Sequence, residues 1–137
     1  MLLYAHDSRS PFFVPAAEWW QSCMNGQIPV GLCHPVIFAF IRISTSPRVY
    51  ENPLSLQAAA AQVNRWFERR VTRVLLADEN HHTSVVRLLS EAGSAGGNLV
   101  TDAQIAAIAL AHRAEVHTAD QDFRRFSNLS CHYPLSR

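Results

Sequence analysis

Apolar positions along this chain follow two alternating patterns, one typical of helices and one typical of short buried strands. Helical spacing recurs over four segments, residues 15–24, 55–70, 80–92 and 102–112. Residues 34–44 are too continuously apolar for an amphipathic surface helix and predict a buried helix. Short apolar runs predict strands over residues 28–33, 73–77, 115–120 and 129–133. Strands that alternate with helices predict an α/β fold with a mostly parallel sheet.

Two segments rich in turn-forming residues separate these elements. Residues 44–53, STSPRVYENP, predict a loop, and residues 94–98, SAGGN, predict a flexible joint before the last long helix. The chain has 137 residues, of which 48% are hydrophobic. That is enough to bury a core without disulfides, so we expect a single domain over residues 1–137.

Composition narrows the function classes only slightly. The net charge is +1, which produces no strong basic field and neither requires nor excludes a nucleic-acid partner. All twelve basic residues are arginines, whose planar guanidinium groups suit phosphate. The three cysteines are widely spaced in apolar surroundings, which favours a reducing cytoplasm. No run approaches the roughly 20 apolar residues of a membrane span, and we therefore expect a cytoplasmic protein.

Three of the chain's aspartates lie between residues 97 and 126, in GNLVTDAQIAAIALAHRAEVHTADQDFRRF. Thr101 and Gln104 have the spacing of a capping box, which predicts a helix that begins at Asp102. The run EVHTAD predicts a short buried strand that ends at Asp120, and open parallel sheets bind their ligands at such strand ends. Asp122 follows two residues later. The sequence therefore predicts that Asp102, Asp120 and Asp122 converge.

Carboxylates that converge repel one another unless a cation neutralises them. A hard divalent ion is the natural occupant, which makes Mg²⁺ or Mn²⁺ the expected cofactor. Each aspartate also has a purely structural explanation. Asp102 suits the positive end of a helix dipole, Asp120 suits a turn or N-cap position, and Asp122 suits a solvated turn.

The chain resembles the PIN-domain ribonucleases, and among them the VapC-type toxins of bacterial toxin–antitoxin pairs. The resemblance covers nearly the whole sequence. It rests on LLYAHDSRSP near the start, FAFIRISTSPRVY in the middle, and the acidic segment described above running into LSCHYPL. It implies a three-layer α/β/α fold, Mg²⁺-dependent hydrolysis of RNA, and silencing by a VapB-type antitoxin. Similar toxins often form dimers.

The resemblance also assigns roles to particular residues. Asp102 matches the acid that opens the late helix, and Asp120 matches the acid that ends the fourth strand. Asp122 matches the second acid of the DxDF ending, so all three become candidate metal ligands and catalytic residues. Three arginines are candidate contacts to the RNA backbone: Arg42, Arg124 and Arg125.

Two features depart from the family pattern. The family opens with a strand that ends in Asp-x-Asn, whereas Met1 already corresponds to the first helix. Many relatives also carry a glutamate in the region of residues 36–39, and none is present here. We therefore expect a truncated or misplaced start, with upstream codons for a short apolar strand whose Asp lies three residues before Met1.

Two alternatives belong to other functional classes. One is a catalytically impaired PIN-like module that only binds its antitoxin. The other is a receiver-like phosphotransfer domain, which also clusters aspartates at strand ends. A receiver normally needs a lysine on a late strand, and this chain contains no lysine.

Overall fold

Helices alternate with short strands in the structure, a computed structural model that describes residues 1–94 and 96–136. The chain forms two compact units, one over Met1–Val74 and one from Leu75 onward. The first contains helix α1 Leu2–Ala5, helix α2 Phe13–Asn25, strand β1 Val30–Leu32, helix α3 His34–Ser44, helix α4 Leu56–Phe67 and strand β2 Thr72–Val74. The second contains helix α5 His81–Glu91, helix α6 Leu99–Ala111, strand β3 Val116–His117, a 3-10 helix Gln121–Arg125 and strand β4 Cys131–His132.

Local sequence signals explain several helix ends in the first unit. The Ser55 hydroxyl accepts a hydrogen bond from the Ala58 amide at 3.0 Å, which caps α4. A proline lies in the first turn of α3, where its missing N–H costs nothing. Helix α3 has the predicted bounds, but it is not buried all round. Ile37 and Phe40 face the core, whereas Phe38 is 61% exposed, because an unbroken apolar run carries no signal of which face packs inward.

Aromatic side chains form the core of the first unit. Trp66 of α4 is 2% exposed and packs edge-on against Phe40, with ring centroids 4.6 Å apart. Trp20 of α2 also meets Trp66 edge-on, at 5.8 Å. His6, which follows α1, contacts all three rings at centroid distances of 5.4 to 6.2 Å. Large rings therefore join helices α2, α3 and α4.

The second unit is built around a helix of small residues. Ala103 and Ala106 of α6 are completely buried, which allows α5 to approach closely and pack Leu88 against them. Phe123 and Phe126, from the 3-10 helix and its end, complete the same cluster. This packing ties the 3-10 helix to α6, and both elements carry the acidic residues.

Within residues 1–94 and 96–136, each unit has one pair of parallel strands. Strand β1 pairs with β2 through Val30 opposite Thr72, and β3 pairs with β4 through His117 opposite His132. The parallel pairing agrees with the predicted α/β class. The prediction of a single domain over residues 1–137 stays a prediction.

All four strands in the described residues are shorter than the sequence predicts, and hydrogen bonds to side chains account for the early ends of β2 and β3. Strand β2 ends at Val74, and the Leu76 carbonyl instead lies 2.9 Å from the His112 ring nitrogen Nε2. Strand β3 ends at His117, well before Asp120, and it is not buried, because His117 is exposed and Val116 is only partly covered. Beyond it, the Asp120 amide donates to the Thr118 hydroxyl and so leaves the strand ladder. Strands β1 and β4, over Val30–Leu32 and Cys131–His132, are likewise shorter than their predicted ranges.

Helix α6 begins earlier than predicted. Its first residue is Leu99 and its N-cap is Asn98, without a side-chain capping bond, so the predicted Thr101 capping box is wrong. Leu99 is 5% exposed, and its burial in the core extends the helix toward the N-terminus. The predicted joint over residues 94–98 includes Ala95, which lies outside the described residues. None of the helices in the described chain is long and apolar enough to span a membrane.

Candidate metal centre

Asp102 enters the site from the first turn of α6. Its neighbour Ala103 is completely buried in the core, so the backbone that carries Asp102 is held by packing. The Asp102 side chain itself is partly covered. The prediction that Asp102 lies in the first helical turn is confirmed, although that turn starts three residues before the predicted position.

Asp120 and Asp122 enter from the 3-10 helix that follows β3. Asp120 is the N-cap of that helix, and its Oδ1 accepts a hydrogen bond from the Asp122 amide at 2.9 Å. The Thr118 hydroxyl accepts a bond from the Asp120 amide at 3.0 Å. Phe123 anchors the segment in the core and leaves both carboxylates exposed. The capping role proposed for Asp120 as a structural alternative is therefore real, and it leaves Oδ2 available.

The three carboxylates converge. One oxygen from each of Asp102, Asp120 and Asp122 lies within 4.8 Å of the other two. Burial, and to a smaller extent the charges of Asp120 and Asp122, together raise the pKa of Asp102 to about 6. A first-turn helix position would lower this pKa, so burial and like charges outweigh the helix dipole. Without a cation, the three carboxylates repel one another.

The donor set suits a hard cation. All three candidate ligands are carboxylate oxygens, which Mg²⁺ and Mn²⁺ prefer, and the set includes neither a thiol nor an imidazole. A divalent ion would relieve the repulsion that raises the pKa of Asp102. The residues therefore fit the metal that the family resemblance implies.

The candidate arginines are exposed, and two of them already have partners. The Arg125 guanidinium donates to the Ala92 carbonyl at 3.2 Å, and the Arg124 guanidinium lies 4.8 Å from the centre of the Tyr133 ring. Both follow the acidic residues on the same 3-10 helix. Arg42 lies exposed in the last turn of α3, in the first unit. Their role as phosphate contacts stays a prediction.

Comparison with known proteins identifies the family. The sequence matches the PIN domain over residues 1–129, a range that spans both units. The chain belongs to the PIN domain family. Ribonuclease VapC33 of Mycobacterium tuberculosis strain H37Rv is 38% identical over 135 residues, which cover 98% of this chain and 94% of that protein. Ribonuclease VapC37 of the same strain is 32% identical, with coverage of 98% and 92%.

Solved structures support the fold. VapBC-1 from nontypeable Haemophilus influenzae matches with a TM-score of 0.65 over 98% of this PIN-domain chain and 93% of the matched chain. VapBC2 from Rickettsia felis, bound to a DNA fragment from its promoter, matches with a TM-score of 0.59 over 96% and 91%. Sequence identity is 18% in both cases, so these structures bear on the fold alone. The family and the fold agree with the α/β, PIN-like class expected from the sequence.

Sequence reasoning missed one residue of this site. Thr118 holds the Asp120 amide through its hydroxyl and thereby turns the chain from β3 into the 3-10 helix. The signal was present, because a Thr two residues before an Asp is a frequent side-chain turn. It was hidden because the run EVHTAD also satisfies a strand pattern.

Proposed function

We propose that this chain is a divalent-metal-dependent endoribonuclease toxin of the VapC type. The observation that carries the proposal is the convergence of Asp102, Asp120 and Asp122, with ligand oxygens within 4.8 Å of one another. Curated relatives at 38% and 32% identity bear the name ribonuclease. Family membership also argues against the receiver-like alternative, which belongs to a different fold family.

Different parts of the second unit position the aspartates of the proposed site. Asp102 approaches from a helix held by buried alanines, and Asp120 is oriented by its bonds to Thr118 and Asp122. Packing of α6 and the hydrogen bonds at Asp120 therefore bring the acidic residues together before any ion binds, which lowers the cost of ordering them. The three aspartates would hold Mg²⁺ or Mn²⁺, which would supply polarisation of the scissile phosphate and a lowered pKa for a bound water. Arg124 and Arg125 follow on the same 3-10 helix and are proposed to position the RNA backbone.

The proposed partner is a VapB-type antitoxin. The curated relatives at 38% and 32% identity are named VapC ribonucleases, and the two solved structures that share this fold are titled VapBC. Binding of the antitoxin would silence the nuclease, and a homodimer is the proposed assembly. The proposed place of action is the cytoplasm, where the RNA substrate is found.

A metal-dependence series tests the nuclease function. The full chain is incubated with a mixed RNA substrate and Mg²⁺, and cleavage is followed on gels. Asp102→Asn is expected to reduce cleavage by at least about 100-fold, the scale of losing a main electrostatic contribution to catalysis. The matched control is Asp78→Asn, which removes an exposed carboxylate of the same unit while its side-chain oxygen still accepts from the Asn80 amide. This control is expected to cleave normally.

Two outcomes would contradict the proposal. Full cleavage by Asp102→Asn would exclude this aspartate from the site. A wild-type chain that binds a VapB-type antitoxin but never cleaves RNA with Mg²⁺ or Mn²⁺ would favour the impaired, antitoxin-binding module instead.

A further inference from the structure

A second group of metal-binding side chains lies on the β3–β4 strand pair, separate from the aspartate cluster. His117 on β3 stands directly opposite His132 on β4 in the parallel register. Their imidazole rings are tilted relative to each other, with centroids 4.7 Å apart and an interplanar angle of 58°. Directly opposed residues on neighbouring strands share a face of the sheet, so both rings project from the same side. That side is exposed to solvent.

A carboxylate completes the group. Glu115 precedes His117 by two residues and so lies on the same side of the strand. Its Oε1 is 3.1 Å from His117 Nε2, and its Oε2 accepts a hydrogen bond from the Ser130 hydroxyl at 3.0 Å. The Ser130 bond fixes the orientation of the carboxylate in the way that outer partners orient metal ligands.

We propose that Glu115, His117 and His132 bind a borderline transition-metal ion such as Zn²⁺, with water as the remaining ligand. Two imidazoles and a carboxylate are a common donor set for Zn²⁺ and a poor one for Mg²⁺. A tetrahedral Zn²⁺ with bonds of about 2.0 to 2.1 Å holds neighbouring ligand atoms about 3.3 Å apart. Glu115 and His117 already present an oxygen and a nitrogen at nearly that separation.

The site requires two small adjustments. The hydrogen bond between Glu115 and His117 must open so that its two atoms can both face one ion. In the described part of the chain, only the three aspartates have three ligand atoms mutually within 4.8 Å. A nitrogen of His132 must therefore rotate toward the other two ligands. His132 is exposed, and exposed rings change rotamer within nanoseconds. The backbone register already supplies the harder condition, because it places the two histidines opposite each other without any loop movement.

The proposal predicts that Zn²⁺ ties the two strands together. Strand β3 precedes the Asp120 turn, and β4 follows the 3-10 helix, so one ion would cross-link the two ends of the segment that carries Asp120 and Asp122. An ion that binds only the folded state raises the thermal midpoint in proportion to the logarithm of its concentration. The inference does not depend on the proposed nuclease function.

Calorimetric titration with Zn²⁺ tests the site in the full chain. We expect one ion per chain, retained in Asp102→Asn, which disables the aspartate cluster. His117→Ala and His132→Ala are each expected to weaken binding by at least about 100-fold, and Ser130→Ala by about 10-fold, the usual cost of losing an outer partner. The matched control is His82→Ala, which removes an exposed histidine of α5 in the same unit and is expected to change nothing.

A measurement on the unmodified chain guards against variants that fail to fold. Addition of Zn²⁺ should shift the ring-proton NMR signals of His117 and His132 and leave those of His34 and His82 in place. Unchanged affinity in both strand variants, equal loss in His82→Ala, loss of the ion in Asp102→Asn, or no shift at His117 and His132 would each overturn the proposal.

Discussion

Each unit partly withdraws an ionisable side chain from water, and the two side chains differ in what surrounds them. In the first unit, His6 is ringed by Trp20, Phe40 and Trp66, and burial lowers its pKa. In the second, Asp102 is partly covered beside two other carboxylates, and its pKa rises to about 6. Both groups are therefore pushed toward their neutral forms.

The difference lies in what surrounds each group. Both ring nitrogens of His6 have partners, since Nδ1 is 2.8 Å from the Leu2 carbonyl and Nε2 is 3.1 Å from the Trp66 indole nitrogen. Asp102 instead faces Asp120 and Asp122, which share its charge. A partly buried group with all its hydrogen bonds made supports packing, whereas a cluster of like charges is the pattern found at functional sites. The comparison therefore supports packing as the role of His6 and supports the proposed functional role of Asp102.

The largest expected effect comes from removing the ring that supports His6. Trp66→Ala should lower the free energy of unfolding by about 3 to 5 kcal/mol, because it leaves a large cavity and removes the donor to His6. Urea denaturation followed by circular dichroism measures the change. Trp19→Ala is the matched control, since Trp19 is only partly covered, and it should cost clearly less. Equal losses in the two variants would contradict a core centred on Trp66.

The sequence alone predicted most of the helices and the cluster of aspartates, because both depend on local patterns. Helical periodicity predicted α2, α4 and α5 to within about three residues, and a continuous apolar run predicted α3. The spacing of the acids predicted that they converge. The lengths of the strands were overestimated. Side-chain hydrogen bonds, such as the one from the Asp120 amide to the Thr118 hydroxyl, end a strand early, and the hydrophobic pattern does not reveal them. The partnership of His6 with Trp66 was not predictable, because it joins residues far apart in sequence.

A second prediction concerns stability at the aspartate cluster without metal. The folded-state pKa of Asp102 is raised, so its stabilising contribution is fully present below the unfolded pKa of about 4 and is lost as pH rises through about 6. Asp102→Asn removes this loss. Its unfolding free energy should match that of the wild type near pH 4 and exceed it at pH 8. The gain should be roughly 1 to 2 kcal/mol after allowance for solvent screening.

Magnesium supplies the control for that prediction. Because Mg²⁺ relieves the same repulsion, it should stabilise the wild type at pH 8 and have little effect on Asp102→Asn. Chemical unfolding in EDTA and in excess Mg²⁺, from about pH 4 to about pH 8, measures both effects. A variant less stable than the wild type at pH 8 in EDTA would mean that Asp102 makes a structural contribution larger than its repulsion.

The smallest expected change is the response of His6 to acid, and its sign is opposite. The neutral ring donates from Nδ1 to Leu2 and accepts from Trp66, whereas a protonated ring would set two donors against each other. Because the folded-state pKa is lowered by burial, with a smaller contribution from the Arg65 charge, this stability is present above the unfolded pKa of about 6.5 and is lost as pH falls below it. The loss should be about 1 kcal/mol, the net contribution of one hydrogen bond.

Tryptophan fluorescence during urea unfolding measures this loss of stability. The loss should appear in the wild type and in the exposed-histidine control His34→Gln, but not in His6→Gln. If His6→Gln kept the acid response, the titrating group would lie elsewhere. If it lost the response, acid would weaken the first unit through His6 while relieving repulsion at Asp102 in the second.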